Sequence, residues 1–141
     1  MLYHLSVFLV NSPGKLEKIT KILADNNINL RAMSLASSGD FGVMKLLVND
    51  PDKAFEVLKQ SQLTVTKRHI IAVVVDNQPG SFNKLLNQLA KKGINIEDCY
   101  GFLLSNAKTA AIILEIENQP DAQKVLSEIG CKILTEDQLY N

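Results

Sequence analysis

The 141-residue sequence repeats itself. Shifted by 66 positions, Val7, Asn11, Pro13, Gly14, Lys18, Leu23, Ala24, Ile28 and Asn29 fall on identical residues: Val73, Asn77, Pro79, Gly80, Lys84, Leu89, Ala90, Ile94 and Asn95. Conservative pairs fill the gaps, among them Leu5 with Ile71, Leu16 with Phe82 and Ile19 with Leu85. Later in each copy, Pro51-Asp52 recurs as Pro120-Asp121, and Val57-Leu58 as Val125-Leu126. A fixed period of this length is one supersecondary unit written twice. The sequence therefore predicts two units, residues 1–67 and 68–141, each built the same way.

Within a unit the order of patterns is constant. An apolar run rich in β-branched residues, Leu5 to Val10 or Ile70 to Val75, reads as a buried strand. A turn follows, Asn11-Ser12-Pro13-Gly14 or Asn77-Gln78-Pro79-Gly80, and then helical spacing through Leu16, Ile19 and Leu23 or Phe82, Leu85 and Leu89. Asn26-Asn27 and Gly93 end those helices. A second strand starts at Ile28 or Ile94 and a third returns over Gly42 to Val48 or Thr109 to Ile116. The Pro-Asp pair opens a second helix, and a short last strand, Leu63 to Thr66 or Cys131 to Leu134, closes the unit. This β-α-β-β-α-β order is the ferredoxin-like arrangement, an α+β fold whose antiparallel sheet carries both helices on one face. A unit this small buries only ~60% of its surface, so the two copies are expected to pack side by side rather than hang on a free linker.

Composition removes several function classes. Lysine and arginine number 15 and aspartate and glutamate 15, so there is no net charge with which to neutralise a phosphate backbone. The N-terminal half (residues 1–68) carries nine bases and six acids, and the remainder six bases and nine acids, so the halves are of opposite sign. Only Phe8 in the first strand could stack a base, and its counterpart is Val74, which argues against RNA recognition. The apolar runs are strand-sized, far short of the ~20 residues that span a bilayer. Met1-Leu2-Tyr3-His4-Leu5 lacks the features of a secretory signal, and the two cysteines, Cys99 and Cys131, form no framework; both predict a reduced cytoplasmic setting. His4 and His69 read as surface or interface histidines, without a second metal ligand nearby, and no cofactor is expected. Asp40-Phe41-Gly42 is a hairpin turn. No nucleophile, acid or base stands in a catalytic constellation, so the chain reads as a non-enzyme.

The loop after the first strand is specified in both copies. Ser12 suits an N-cap and Pro13 the first helical position. Gly14 and Gly80 let an external group approach the unpaired N–H donors of a helix N-terminus, where an anion such as a carboxylate is favoured. Asn29 and Asn95, each directly after an isoleucine, lie a helix length away from their own loops, roughly 15–20 Å. One unit cannot grip a small guest with both. Two units with antiparallel first helices would bring Gly14 toward Asn95 and Gly80 toward Asn29. Met33, Leu35, Cys99 and Tyr100 either line such a pocket or belong to the packing of the sheet.

These residues resemble a known family. A strand, Asn-x-Pro-Gly, and a helix ending in Asn-Ile-Asn-Leu or Gly-Ile-Asn-Ile is similar to the ACT domain, once over roughly residues 3–67 and again over 69–135. Asp40-Phe41-Gly42 and Asn49-Asp50-Pro51-Asp52-Lys53-Ala54 look like the small stand-alone tandem-ACT proteins. The resemblance implies a regulatory sensor that binds a free amino acid where paired domains meet, through Asn11, Ser12, Pro13, Gly14 and Asn29, and Asn77, Gln78, Pro79, Gly80 and Asn95. Serine-sensing relatives place a histidine two positions before the loop asparagine, where this chain has Leu9 and Val75. A homodimer is expected. The alternative reading is an interaction subunit that regulates a separate enzyme of amino-acid metabolism.

Overall fold

The computed structural model describes residues 1–117 and 119–140. The chain divides into two compact units, one of residues Tyr3–Arg68 with Tyr140, the other of His69–Leu139 with Met1–Leu2. They are called the N-terminal and C-terminal units below.

The N-terminal unit runs β1 (Leu2–Val10), α1 (Lys15–Asp25), β2 (Leu30–Ser38), β3 (Phe41–Val48) and α2 (Pro51–Gln60), and takes in the opening residues of β4 (Thr64–Asp76). Its strands lie in the order β2-β3-β1-β4. Alternation in β1 sends Leu5, Val7 and Leu9 to one face. There they meet Ile19 and Leu23 of α1, Ala54 and Leu58 of α2, and Met44, Leu46 and Val48 of β3 in a single core. Burying about ten such side chains, each worth ~1.5–3 kcal/mol for the larger ones, is what holds both helices on that face.

The C-terminal unit repeats the plan with the rest of β4, α3 (Ser81–Lys91), β5 (Ile96–Leu103), β6 (Thr109–Ile116), α4 (Gln119–Glu128) and β7 (Lys132–Ile133), in the strand order β5-β6-β4-β7. Its core joins Ile71 and Val73 to Leu85, Leu89, Leu114, Ile116, Ala122 and Leu126.

All four of these helices stop the same way. The residue after the C-cap turns left-handed and the next N–H reaches back to the last turn, as in Ile28 to Leu23, Leu63 to Leu58, Ile94 to Leu89 and Cys131 to Leu126. The left-handed residues are Asn27, Gln62, Gly93 and Gly130. Asp50 caps α2 through its side chain, which accepts from Lys53 N–H at 3.1 Å, with Pro51 in the first turn.

Two features depart from the sequence reading. The strands expected at Leu63–Thr66 and Ile70–Val75 are one continuous strand, β4, because no glycine or proline interrupts the β-branched residues between Thr64 and Asp76. A short helix, α5 (Glu136–Tyr140), follows β7. A capping box announces it: Gln138 N–H bonds Thr135 Oγ1 at 3.3 Å and Thr135 N–H bonds Gln138 Oε1 at 3.0 Å. Among the described residues, no helix is long and apolar enough to cross a membrane.

Candidate functional site

The two loops that follow the first strand of a unit are built alike. Lys15 N–H bonds Ser12 C=O at 3.3 Å, and Ser81 N–H bonds Gln78 C=O at 3.2 Å. Gly14 has φ 85° and ψ −6°, Gly80 φ 88° and ψ −12°. Proline second and a left-handed glycine third make a type II turn. This corrects the expected helix start. Gly14, not Ser12, holds the N-cap place, Pro13 belongs to the turn, and no side chain caps α1. Pro-Gly satisfies turn chemistry more strongly than Ser-Pro satisfies a cap, so the helix begins one residue after the glycine.

The consequence is an open helix N-terminus in each unit. The ladder begins with Lys18 N–H to Gly14 C=O and Lys84 N–H to Gly80 C=O, both at 3.0 Å. The N–H groups of Leu16 and Glu17, and of Phe82 and Asn83, therefore have no acceptor inside their helices. A Cβ placed on either glycine would meet nothing within 4 Å. Residues 11–14 and 77–80 are all exposed. At the second turn the surface hollows into a cavity of about 580 Å³, walled by Gln78, Pro79, Ser81, Lys84, Gln88 and Lys132. Two lysines and the helix terminus outweigh its one acid, Asp76, so the cavity favours an anion.

Asn11 and Asn77 anchor these turns to the neighbouring hairpins. Asn11 N–H donates to Asp40 C=O at 2.7 Å, and Asn77 N–H to Lys108 C=O at 2.9 Å. The Asn77 side chain adds a bond from Nδ2 to Ala107 C=O at 2.9 Å.

Asn29 and Asn95 are exposed, just ahead of β2 and β5. Asn29 is held by Asn49, which sequence reasoning missed as a site residue. Asn29 N–H donates to Asn49 Oδ1 at 3.0 Å, and Asn49 N–H donates to Asn29 C=O at 3.2 Å. Asn95 opens onto a separate cavity of about 500 Å³ with Lys92, Gly93, Asp121, Lys124 and Glu128. The structure therefore brings neither Gly14 and Asn29 nor Gly80 and Asn95 together. Each pair sits at opposite ends of an 11-residue helix, ~16 Å apart.

The remaining candidates separate by face. Met33 and Leu35 pair with Leu46 and Met44, so they lie on the helix side of the edge strand, 43% and 40% exposed. Cys99 packs against the C-terminal core, whereas Tyr100 pairs with Ile113 on the opposite face. Burial pushes the Cys99 and Cys131 thiols up, with Asp98 adding to the effect at Cys99, so neither is an activated nucleophile. His4 is fully buried, which excludes the surface alternative of its reading as a surface or interface histidine; the sequence of a strand does not say what covers each of its faces. Among the described residues no group of histidine, cysteine and acidic side chains is placed to hold a metal ion.

Two βαββαβ modules in one chain, each opening its first helix with the same Pro-Gly turn, define a tandem ferredoxin-like protein. The sequence pattern of the ACT domain pair matches residues 1–141, and the chain belongs to that family. It is similar to protein BT0572 from Bacteroides thetaiotaomicron, with a TM-score of 0.92 and 34% identity over 99% of this chain and 96% of that one. The ligand-free regulatory subunit of aspartate kinase from Thermus thermophilus shares the fold, with a TM-score of 0.66 and 18% identity over 90% and 91% of the chains. The aspartokinase alpha and beta subunits do so with a TM-score of 0.64 and 19% identity over 89% and 90%. No curated protein matches the sequence.

Proposed function

We propose that the chain is a non-catalytic regulatory protein of the cytoplasm that senses a free amino acid. The observation that carries this is the twice-built type II turn, which leaves unpaired helix N–H donors open to solvent in both units. A carboxylate is the anion that fits: two oxygens accept from adjacent N–H groups, and each charge-assisted bond contributes ~1.5–3 kcal/mol. The ammonium of the same guest needs acceptors, which an asparagine side-chain oxygen supplies. Since a unit's own asparagine lies at the far end of its helix, the completing Asn29 or Asn95 comes from a second module. A guest held by two modules favours their docked arrangement by its differential affinity, and that population shift is the regulatory signal. Fold likeness to regulatory subunits of aspartate kinase supports a role of this kind, with an enzyme of amino-acid metabolism as the regulated partner. The test is a thermal-shift screen of the common amino acids, repeated with Gly14→Asp and Gly80→Asp and with their asparagine counterparts. One ligand class should stabilise the parent and the asparagine variants but not the aspartates. No shift with any amino acid, or equal shifts in the aspartate variants, would sink the reading.

A further inference from the structure

The strand that follows each site asparagine carries the same irregularity. Between Leu30 and Ala32, β2 advances two residues while its partner β3 advances one, from Val48 to Leu47. Between Ile96 and Asp98, β5 does the same against Ile116 and Glu115 of β6. Each is a β-bulge, a device that recurs beside binding sites because it re-aims a side chain. The extra residue comes two positions after the asparagine: Arg31 after Asn29, Glu97 after Asn95. Packing accounts for the bulge itself, which sets Leu30 with Met33, and Ile96 with Cys99, opposite core residues of the third strand. Packing does not account for the extra residue, which is exposed in both units.

The repeat isolates what differs. Both units build the bulge, and its extra residue changes from a guanidinium to a carboxylate. The residue that follows the unit's third strand changes in the same sense. In the N-terminal unit it is neutral Asn49, bonded to Asn29; in the C-terminal unit it is Glu117, which lines the cavity at Asn95. Among the described residues that cavity sets three acids, Glu117, Asp121 and Glu128, against Lys92 and Lys124. The module folds with either charge at the bulge, so the choice of charge answers to what approaches the asparagine.

We propose that the bulge residue selects the guest by side-chain charge. The guests are amino acids with a charged side chain, and the two ends divide them by sign. The Asn95 end, with Glu97 and Glu117, takes a cationic side chain, and the Asn29 end, with Arg31, an anionic one. The selection presupposes that each asparagine helps to hold an amino acid, as proposed above, and adds that the two ends answer to different guests. Two residues of strand span about 7 Å, a distance that a guest side chain of about four or five atoms covers. At Arg31 a guest carboxylate accepts two parallel N–H bonds from the guanidinium fork. At Glu97 a cationic side chain donates to a carboxylate, and Glu117 adds to the negative potential. A guest of the wrong sign meets like charge at either end and is refused.

The test is titration calorimetry of the full chain with L-lysine and its neutral isostere L-norleucine, and with L-glutamate and L-glutamine. The parent should bind lysine and glutamate each about tenfold more tightly than the neutral isostere. Glu97→Gln should lose the preference for lysine and keep that for glutamate, and Arg31→Gln should do the reverse. Both positions are exposed, so these variants should melt as the parent does. Arg31→Glu, which copies the other unit, should lose glutamate and double the number of lysines bound per chain. A parent that prefers a neutral amino acid or binds only one sign of side chain, or variants that keep both preferences, overturns this inference and leaves the amino-acid reading standing. A parent that binds no amino acid at all overturns both.

Discussion

Asn77 donates its side-chain amide to the carbonyl of Ala107 at 2.9 Å, tying the turn that opens α3 to the hairpin between β5 and β6. Ala107 is itself left-handed, at φ 56°, a conformation that costs ~1–2 kcal/mol without glycine. The bond is exposed, so Asn77→Ala should lower stability by only ~0.5–1 kcal/mol. Amide exchange should quicken across residues 104–108 before global unfolding, which mass-resolved exchange reads directly.

A bound amino acid should stabilise the chain in proportion to its saturation. At a hundred times its dissociation constant the gain is ~2.7 kcal/mol. That corresponds to roughly 5–10 °C in melting temperature for a chain of this size. Gly14→Asp/Gly80→Asp keeps a residue type that tolerates positive φ but sets a negative charge beside the donors. The shift should vanish in that double variant and survive in Gly14→Asn/Gly80→Asn.

Gln62 occupies the left-handed place after α2, at φ 65°, where the other unit has Gly130 at φ 78°. Relief of the backbone penalty exceeds the added entropy of glycine in the unfolded chain. Gln62→Gly should therefore stabilise by ~0.5–1 kcal/mol, raising the melting temperature by about 2 °C in calorimetry.

Thr135 and Gln138 bond reciprocally at the head of α5, whose Leu139 is buried. Thr135→Ala removes one cap bond and should cost ~1 kcal/mol. The loss should concentrate at the C-terminus, seen as faster proteolytic trimming of α5 while the melting curve stays cooperative.

The raised thiols give a pH dependence of known sign. A folded-state pKa above the unfolded one, ~8.5 for cysteine, contributes stability that is complete below that value and is lost as pH rises through the folded value. Urea melts should therefore weaken above about pH 8.5. The Cys99→Ala/Cys131→Ala variant, though less stable at neutral pH, should show a shallower decline over that range.

The repeat made the fold readable because each unit is assembled from local rules. Pro-Asp starts α2, and Asn27 and Gly93 end the first helices at residues that accept positive φ. The start of α1 was ambiguous because Ser12-Pro13-Gly14 satisfies both a cap rule and a turn rule. The 85° φ of Gly14 decides for the turn. The α5 helix was hidden because five residues with one buried leucine carry no periodicity, although the Thr135–Gln138 box was there to be read. Of the site, the loops and the asparagines were legible as recurring residue types. Asn49 was not, since its role depends on β3 ending beside Asn29.

The βαββαβ order within each unit and the two Pro-Gly turns follow from the chain's local chemistry, which is why one pattern written twice folds twice. Which side of a strand is wet does not. In the run Leu5–Val10, apolar but for Ser6, the pattern does not say which face is covered, and the placement of α1 and α2 decides that Val7 and Leu9 are in the core while Phe8 and Val10 face out. Burial is a property of what lies above a residue, and over this face of the sheet that comes from helices that follow the strand in the chain, α1 from Lys15 and α2 from Pro51.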